Sequence, residues 1–392
     1  MQFTRNAATL GMSIVSNRLE CRLYRQINPT CEDLSGAVVI QPLNSDFQNW
    51  IEQHLPPAHR PQGALTLTPL AGDAGFRRYF RVDCAPSLIA VNAPPAQENN
   101  LAFVQIANSF VDGMIRVPKI HAVDFARGFM LLEDLGRRVL QPLLDLDSLP
   151  AHYGAAETVL LEIQQLAADR RIYPQYDAAT LDREMRLFEQ WFVTELLGIE
   201  LSASEKSLLG DVFQHLIESA EEQPQVVVHR DYHSRNLMLL DDGELGIIDF
   251  QDAVLGPMTY DLVSLLKDCY VRWPAQLMAR RALDFKRRAE ALGTLGATSD
   301  EDFLRWFDWM GLQRHIKVMG VFARLALRDN KRDYLLDLPR VIDYSLEAAS
   351  RYPQLRPFGD WFRAALLPQL SAQPWFSGSA GEPGSPSPAM DA

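Results

Sequence analysis

The stretch Val226–Asp261 decides the fold, and its sequence is VVVHRDYHSRNLMLLDDGELGIIDFQDAVLGPMTYD. It begins with three valines, which predict a short buried strand. Residues 236–240 and 245–249 are mostly apolar and predict two further strands, and the Asp241-Asp242-Gly243 sequence between them is typical of a tight turn. We therefore expect a strand, a loop and a β-hairpin, with polar residues where the strands begin and end.

The polar residues at these strand ends are of the types that phosphoryl transfer requires. A carboxylate such as Asp231 can orient an attacking hydroxyl group and accept its proton. Mg²⁺ prefers carboxylate and amide oxygens, which Asp249 and Asn236 offer. The spacing His229-x-Asp231-x₄-Asn236, followed by an aspartate after an apolar strand, is similar to the kinase pattern H-x-D-x₄-N…D. The alternative is a hairpin that merely carries polar residues at its ends.

Composition bounds the class of protein. The chain has 392 residues, enough for two or three domains or lobes around a large core. Its 38 basic and 50 acidic residues give a net charge of −12, which argues against nucleic acid or an anionic membrane as the main partner. No apolar run approaches the roughly 18 residues that a membrane span needs. The four cysteines show no metal-binding or disulfide spacing, so we expect reduced thiols in a cytoplasm. No obligate protein partner is evident from the sequence.

Both ends of the chain differ from the rest. Residues 1–44 have no regular pattern, and we expect a disordered extension, with Met12 as an alternative start; a secretory signal is the less favoured alternative. The segment after residue 372 is rich in Gly, Ser and Pro, and we expect residues 373–392 to be a disordered tail.

Residues 45–134 are predicted to form a small nucleotide-binding lobe. A short helix should precede strands at residues 65–70, 76–82 and 87–92, with a Gly72-x-x-Gly75 turn between the first two. Kinases use such a turn to place backbone N–H groups over the phosphates of ATP, although an ordinary hairpin has the same pattern. A helix at about 97–111 should then direct Leu101, Val104 and Phe110 inward.

The segment Gly128–Gly136 is predicted to connect two lobes. An apolar strand leads into Glu133-Asp134-Leu135-Gly136. In a hinge of this kind, backbone groups of Glu133 and Leu135 would hold the adenine ring. The alternative is a strand that simply ends in a turn.

Residues 135–372 are predicted to be a helical lobe that holds the catalytic hairpin and the acceptor site. Apolar stripes of 3.6-residue period mark helices at 152–170, 181–197 and 204–222, the last with a Ser202/Glu205 capping box. Further helices should begin at Asp261, near Pro274 and at Glu301, where Thr298 and Glu301 suggest a second box. The predicted fold class is therefore α+β, with a β-rich first lobe and a helical second lobe.

These motifs resemble the aminoglycoside phosphotransferase and choline kinase-like superfamily, from about Leu65 to Asp261, with a helical remainder that fits to about Leu370. The resemblance implies a protein kinase-like two-lobe fold, ATP and Mg²⁺ as cofactors, and Asp231 as the catalytic base. It also implies that Asn236 and Asp249 bind the metal and that Asp261 is a buried brace for the catalytic loop. The residues that carry it are His229-x-Asp231-x₄-Asn236, Ile247-Ile248-Asp249-Phe250 and Gly256-Pro257-x-x-Tyr260-Asp261-Leu262.

Within this superfamily the chain looks most like the anomeric sugar kinases of cell-wall recycling, which phosphorylate C1 of N-acetylmuramate and N-acetylglucosamine. The resemblance implies a small-molecule amino sugar as substrate. An aminoglycoside or choline-type kinase and a nucleotide-binding pseudokinase remain alternatives. The matching residues are Gly75-Phe-Arg-Arg-Tyr-Phe-Arg81, Ala93-Pro-Pro95, Met130-Leu-Leu-Glu-Asp-Leu-Gly136, His229-Arg-Asp-Tyr-His-Ser-Arg-Asn236 and Gln313-Arg-His-Ile-Lys-Val-Met-Gly320.

One position departs from the kinase pattern. Kinases carry a lysine on the third strand that binds the α- and β-phosphates and pairs with a glutamate of the next helix. Here Asn92 stands near the lysine position, and Glu98 lacks that partner. Neutral Asn92 cannot offset phosphate charge, so one of the arginines of the preceding strand is expected to do so. The candidates are Arg77, Arg78 and Arg81, and we assign Arg78 to the nucleotide site together with Gly72, Gly75, Glu133 and Leu135.

Several polar residues near the motifs are candidates for substrate contacts. His233 and Arg235 lie between base and metal ligand, and Gln251 and Asp252 follow the metal carboxylate. The candidate substrate residues are His233, Arg235, Gln251, Asp252, Arg314 and Lys317.

The remaining candidates have structural alternatives. Arg314 and Lys317 share a face of a largely apolar helix and suit a substrate carboxylate, although salt bridges to Asp or Glu of neighbouring helices are the favoured alternative. His229 is expected to have a structural role in fixing the loop. Arg230 could pair with Asp249 or with an external group, and the alternative is a solvated charge.

Overall fold

The computed structural model describes residues 45–61, 63–70 and 76–376, and the following account concerns these residues. The predicted Gly72 and Gly75 turn, the 1–44 extension and residues 377–392 of the predicted tail lie outside the described residues. Trp375 and Phe376, which also fall in that predicted tail, are partly buried and pack against the core.

An antiparallel sheet forms the first part of the described chain. Its strands are Leu67–Pro69 (β1), Arg78–Val82 (β2), Leu88–Asn92 (β3), Ile120–Asp124 (β4) and Phe129–Glu133 (β5). The predicted strands therefore occur but are shorter at their ends. The strand order is β1-β2-β3-β5-β4, and Arg78 at the start of β2 lies opposite Asn92 at the end of β3. A helix at Ser45–His54 (α1) precedes the sheet.

Helix α2, Asn100–Asp112, joins β3 to β4 and begins where Asn99 accepts a hydrogen bond from the Ala102 N–H group. Its buried stripe includes Phe103 and Phe110. The prediction that Leu101 points inward was wrong, because that side chain is 56% exposed. The buried residues 103, 106, 107 and 110 follow the i, i+3, i+4, i+7 pattern, and position 101 lies outside this stripe.

The rest of the described chain is mainly helical. The predicted 181–197 helix is α-helical only over its first half and continues as a π-helical segment, Phe188–Leu196. The helices are Leu149–Gln164 (α3), Ala178–Leu187 (α4), Ala203–Glu221 (α5), Thr259–Leu266 (α6), Ala275–Ala291 (α7), Asp300–Arg328 (α8), Leu338–Arg351 (α9), Arg356–Trp361 (α10) and Leu367–Leu370 (α11).

Helix α8 lies at the centre of this helical part and packs against α4, α5, α6, α7 and α9. It also packs closely on the junction between α4 and the π-helical segment. A Cβ atom at Gly320 would lie 2.4 Å from the backbone carbon of Leu187 and 2.5 Å from the backbone nitrogen of Phe188. Only a residue without a side chain lets the two backbones approach this closely.

One of the two predicted helix caps is confirmed and the other is displaced by one residue. Ser202 and Glu205 form the reciprocal capping box of α5. At α8 the cap is Ser299, whose hydroxyl accepts from the Asp302 N–H group, so the Thr298/Glu301 prediction was wrong. The Thr298 hydroxyl instead donates to the Gly296 carbonyl.

The central stretch forms two short antiparallel pairs. Strands Gln225–Val228 (β6) and Val254–Pro257 (β9) pair with each other, as do Leu237–Leu239 (β7) and Leu245–Ile247 (β8). The hairpin strands are shorter than predicted because Asn236 ends a 3₁₀ turn and Asp249 has a positive φ of 63°. Both residues therefore lie in loops at the same end of the β7/β8 hairpin.

Among the described residues, none of the helices combines the length and apolarity that crossing a bilayer requires. The two cysteines in this part of the chain, Cys84 and Cys269, are free thiols. The other two cysteines lie outside the described residues.

Candidate active site

Asp261 anchors the loop that follows β6. Its carboxylate is fully buried and accepts the backbone N–H groups of His229 at 2.6 Å and Arg230 at 3.0 Å. Burial raises the pKa of Asp261 to about 7, against the opposing effect of these two hydrogen bonds. The bonds hold Arg230 at a φ of 77°, which is costly for a residue with a side chain. These are the contacts that the predicted loop brace would make.

The His229 ring connects this loop to the end of the β7/β8 hairpin. Its Nε2 atom lies 3.0 Å from the Ile248 carbonyl oxygen, and its Nδ1 atom lies 3.3 Å from the Asp231 backbone nitrogen. A neutral imidazole protonated at Nε2 satisfies both contacts. Burial lowers the pKa of His229 to about 4, so the ring is neutral at physiological pH. The contacts agree with the structural role predicted for His229.

Asp231 is the accessible acid of the site, with a side chain that is 42% exposed. Burial by the surrounding protein raises the pKa of its carboxyl group, but Lys317 and Arg314 outweigh this effect and the net pKa lies below the usual range. The nearest of these charges is the Arg314 Nη2 atom, 3.7 Å from Oδ1. Asp231 is therefore ionised at neutral pH and can orient a hydroxyl group and accept its proton.

Asn236 and Asp249 lie next to each other beside this acid. The Asn236 amide nitrogen donates to the Asp231 backbone carbonyl at 2.9 Å and approaches Asp249 Oδ2 at 3.4 Å. These contacts fix the orientation of the amide and leave its carbonyl oxygen as a ligand atom. The described residues contain no cluster of three or more His, Cys, Asp or Glu side chains suited to a metal. This donor set nevertheless fits Mg²⁺, which binds to one or two protein oxygens and completes its shell with phosphates and water.

Gln251 supports the metal-ligand candidate Asp249. Its Nε2 atom donates to Asp249 Oδ1 at 2.6 Å, so Gln251 orients the carboxylate. Its predicted contact with the substrate stays a prediction. Asp252, the other candidate after the metal loop, is exposed. Phe250 lies between them and packs on Phe103 of α2 at a centroid distance of 4.9 Å, which connects the metal loop to the first lobe.

The predicted hinge has fewer free backbone groups than expected. The Glu133 N–H group donates to the Lys119 carbonyl at 2.8 Å, and its carboxylate binds Arg116. This N–H group is therefore engaged within the sheet. The Leu135 side chain packs over β8, since a Cβ atom at Gly246 would lie 2.6 Å from its Cδ1 atom. The role of Glu133 and Leu135 in adenine binding stays a prediction.

Asp134 of the same segment holds Arg81. The carboxylate accepts from Arg81 Nε at 2.6 Å, from the Ser87 hydroxyl at 2.6 Å and from the Gly136 N–H group at 2.9 Å. Arg81, one of the three arginines considered for phosphate binding, is therefore engaged at the hinge. Arg78, the assigned one, is exposed at the first position of β2.

A buried charge cluster behind Asp231 was not predicted as a whole. Glu184 of α4 pairs with Arg230 and, at 3.2 Å, with Lys317 of α8. The expected pairing of Arg230 with Asp249 was therefore wrong, because the guanidinium group turns toward α4. Sequence reasoning missed Glu184, which lies 46 residues before Arg230. Only the requirement that buried cations have acidic partners pointed to such a residue.

Arg314 and Lys317 are both engaged with the protein. Arg314 donates to the Arg230 carbonyl at 2.9 Å and to the Tyr260 hydroxyl at 3.3 Å. Lys317 donates to the same hydroxyl at 3.1 Å. The structure thus favours the structural alternative for these residues, in which they support the catalytic loop and supply positive charge to Asp231.

His233 and Arg235 flank Tyr270 on the other side of the loop. The Arg235 guanidinium lies 3.5 Å from the centroid of the Tyr270 ring, and its Nε atom donates to Gln141 at 3.3 Å. The His233 ring meets the edge of Tyr270 at 5.3 Å. These contacts order both side chains, and their substrate contacts stay predictions. Asp268, which sequence reasoning also missed, fixes the loop by accepting from the Ser234 N–H and hydroxyl groups.

Comparison with known proteins agrees with this geometry. A family model described as "Phosphotransferase enzyme family" matches residues 66–307. A protein of Pseudomonas putida named N-acetylmuramate/N-acetylglucosamine kinase is 41% identical over 329 residues, which are 82% of this chain and 95% of that protein. A protein of the same name from Pseudomonas aeruginosa is 39% identical over 326 residues, which cover 82% and 95% of the two chains.

Solved structures show a similar fold at low sequence identity. Plasmodium vivax ethanolamine kinase has a TM-score of 0.55 at 14% identity, with 74% of this chain and 83% of that chain covered. A thermostable mutant of aminoglycoside phosphotransferase APH(4)-Ia, in a ternary complex with AMP-PNP and hygromycin B, has a TM-score of 0.52 at 16% identity, with 79% and 100% covered. The predicted α+β, protein kinase-like two-lobe fold is thereby confirmed.

Proposed function

Because the chain belongs to the phosphotransferase enzyme family, we propose that it transfers the γ-phosphoryl group of ATP, with Mg²⁺, to the anomeric C1 hydroxyl of N-acetylmuramate and N-acetylglucosamine. The proposal includes a role in peptidoglycan recycling and a cytoplasmic location, where ATP is present. The observation that carries the kinase chemistry is the grouping of accessible Asp231 with Asn236 and Asp249. The acceptor is inferred from the names of the relatives that are 36–41% identical.

In the proposed mechanism Asp231 receives the acceptor hydroxyl group. Its carboxylate orients the C1 hydroxyl and takes the proton as the new O–P bond forms, while the bond to the β-phosphate oxygen breaks and ADP leaves. The low pKa of Asp231 keeps it ionised but makes it a weak base. An anomeric hydroxyl is more acidic than an ordinary alcohol, so it suits a base of this kind.

Asn236 and Asp249 would hold the metal, which supplies positive charge against the phosphates when bound. Gln251 and Asn236 both contact the Asp249 carboxylate and so keep it oriented. Asp261 and His229 fix the backbone on either side of Arg230, which sets the position of Asp231. The chain thus contributes chiefly by positioning its groups.

The charge behind Asp231 bears on the acceptor. Arg230, Arg314 and Lys317 are cations, whereas Glu184 is the acid that pairs with two of them. These three cations face two acids, Glu184 and Asp231, which leaves one positive charge in excess. A neutral or anionic sugar is compatible with this charge, and a polycationic aminoglycoside is disfavoured by it. This consideration supports N-acetylglucosamine and N-acetylmuramate over kanamycin or choline.

An acceptor panel tests the proposal. ADP release with Mg-ATP is measured with N-acetylmuramate, N-acetylglucosamine, glucose, kanamycin and choline, using wild type and Asp231→Asn. We expect turnover with the two N-acetyl sugars and a loss of turnover by about 10³-fold or more in the variant, which should still bind ATP. Turnover confined to kanamycin or choline contradicts the acceptor, and full activity of Asp231→Asn contradicts the assignment of the base.

A further inference from the structure

Glu98 lies just before α2 and binds the start of β2. Its Oε2 atom lies 3.1 Å from Arg77 Nη1, and its Oε1 atom accepts the Phe76 N–H group at 2.9 Å. The Arg77 and Glu98 side chains are 9% and 12% exposed, respectively. The sequence had indicated a glutamate without its usual lysine partner, and the structure provides that glutamate with an arginine that lies just before β2.

Arg77 is connected to the metal loop through two aromatic rings. Its guanidinium carbon lies 5.5 Å from the centroid of Phe103. Phe103 in turn packs at 4.9 Å against Phe250, the residue after Asp249. The guanidinium group therefore lies on the side of the sheet that faces the candidate metal ligands.

The Arg77 guanidinium also has an unused donor. Its Nε atom is buried and has no hydrogen-bond acceptor among the described residues. Buried donors in native proteins nearly always have a partner, and an arginine in such a place suits phosphate oxygens in particular. The other two arginines differ, because Arg81 binds Asp134 and Arg78 is exposed.

We infer that Arg77, held by Glu98, binds the phosphates of ATP in place of the third-strand lysine that this chain lacks. Glu98 acts as a positioning residue that orients the guanidinium group, as the helix glutamate orients lysine in other kinases. The assignment replaces Arg78 of the sequence prediction. The inference rests on the proposed function, since it concerns the nucleotide site of the same kinase.

The test compares nucleotide binding with and without phosphates. Calorimetric titrations measure the Kd of ATP, ADP and adenosine, with Mg²⁺, for wild type, Arg77→Gln and Arg77→Lys. Loss of one charge-assisted hydrogen bond predicts that Arg77→Gln weakens ATP and ADP binding about 10- to 100-fold. Adenosine binding should change less than about twofold. Arg77→Lys keeps the charge but loses the planar guanidinium fork, so its ATP affinity should lie between those of Arg77→Gln and wild type.

Arg127→Gln is the matched control. Arg127 belongs to the same sheet region, pairs with Asp124 at 2.8 Å and lies 5.3 Å from the Phe129 ring, so it makes the same kinds of contact as Arg77, but its side chain is 40% exposed against 9% for Arg77. It sits in the turn between β4 and β5, and its replacement should leave all three affinities unchanged. Arg78→Gln tests the rival assignment directly.

Two results would overturn the inference. One is an ATP affinity of Arg77→Gln equal to that of wild type, or a loss that is equally large for adenosine, since a merely structural role affects both ligands. The other is a larger loss of ATP affinity in Arg78→Gln than in Arg77→Gln. These titrations need no acceptor sugar, so a failure of the proposed acceptor in the turnover panel is distinguishable from a failure of this assignment.

Discussion

Replacement of Glu184 by glutamine tests the buried charge cluster that supports the catalytic loop. The Glu184 side chain is 13% exposed and pairs with Arg230 and Lys317, which are 21% and 13% exposed. Its pKa lies below the usual range, because Lys317 and Arg230 outweigh the opposing effect of burial. Glu184→Gln keeps the shape and one acceptor oxygen but leaves two buried cations without a counter-charge. Breaking a buried pair in this way costs about 3–5 kcal/mol of the free energy of unfolding.

The same helix offers a matched control. Asp182 pairs with Arg186 at 3.2 Å, but both side chains are more than 40% exposed. Exposed pairs contribute little, so Asp182→Asn should change the free energy of unfolding by less than about 1 kcal/mol. The assay is urea denaturation followed by far-ultraviolet circular dichroism, with comparison of midpoints at equal slope.

The result for activity follows from the same contacts. Without Glu184, Lys317 and Arg230 act unopposed on Asp231, so the pKa of that carboxyl group should fall further and kcat should decrease. A Glu184→Gln variant as stable as Asp182→Asn would refute the view that the cluster is a desolvated network. Unchanged kcat in a strongly destabilised variant would show that the cluster stabilises the fold without affecting Asp231.

Two further predictions concern stability. Gly320→Ala should lower the free energy of unfolding by about 1–3 kcal/mol because its Cβ atom would lie 2.4 Å from a backbone atom. As a control, a Cβ atom at Gly210 in α5 would meet nothing within 4 Å, so Gly210→Ala should be neutral or stabilising. Equal urea midpoints for the two variants would contradict this prediction. Buried His229 and His315 have pKa values lowered to about 4 and 3, so below pH 6.5 the unfolded state binds protons that the folded state does not. The free energy of unfolding therefore decreases as the pH is lowered below 6.5. Asp261, whose pKa is raised to about 7, holds a proton in the folded state over the same window and offsets one histidine. These three groups together contribute a loss of about 1.4 kcal/mol for each unit by which the pH falls between 6.5 and 4. Urea midpoints measured across this pH range check how the free energy of unfolding depends on pH. If His315→Gln left this dependence unchanged, the assignment of the effect to the buried histidines would be contradicted.

Local patterns predicted that the candidate catalytic and metal-binding residues lie together, because these residues are close in sequence. Asp231, Asn236 and Asp249 come together since a hairpin of the predicted kind joins them. The Ser202/Glu205 cap was predictable for the same reason. Where two capping residues are adjacent, as at Thr298 and Ser299, the local pattern does not decide between them.

Long-range contacts were beyond the reach of such reasoning. The pairing of Arg230 with Glu184 and of Glu98 with Arg77 joins elements whose approach depends on the whole fold. The apolar surroundings of Arg314 and Lys317 predicted that each needs a partner, but not which one. Glu184 and Asp268, which hold the active-site loop from distant helices and loops, were therefore harder to predict than Asp231 and Asn236, which belong to it.

The position of the transferred phosphate tests the central claim most directly. The protein is incubated with Mg-ATP and N-acetylmuramate, and the product is examined by phosphorus NMR and by mild acid treatment, which releases anomeric phosphates. We expect a phosphate coupled to the anomeric proton and labile to acid, absent with Asp231→Asn. An acid-stable phosphate at another hydroxyl, or no sugar phosphate at all, would contradict the proposed function.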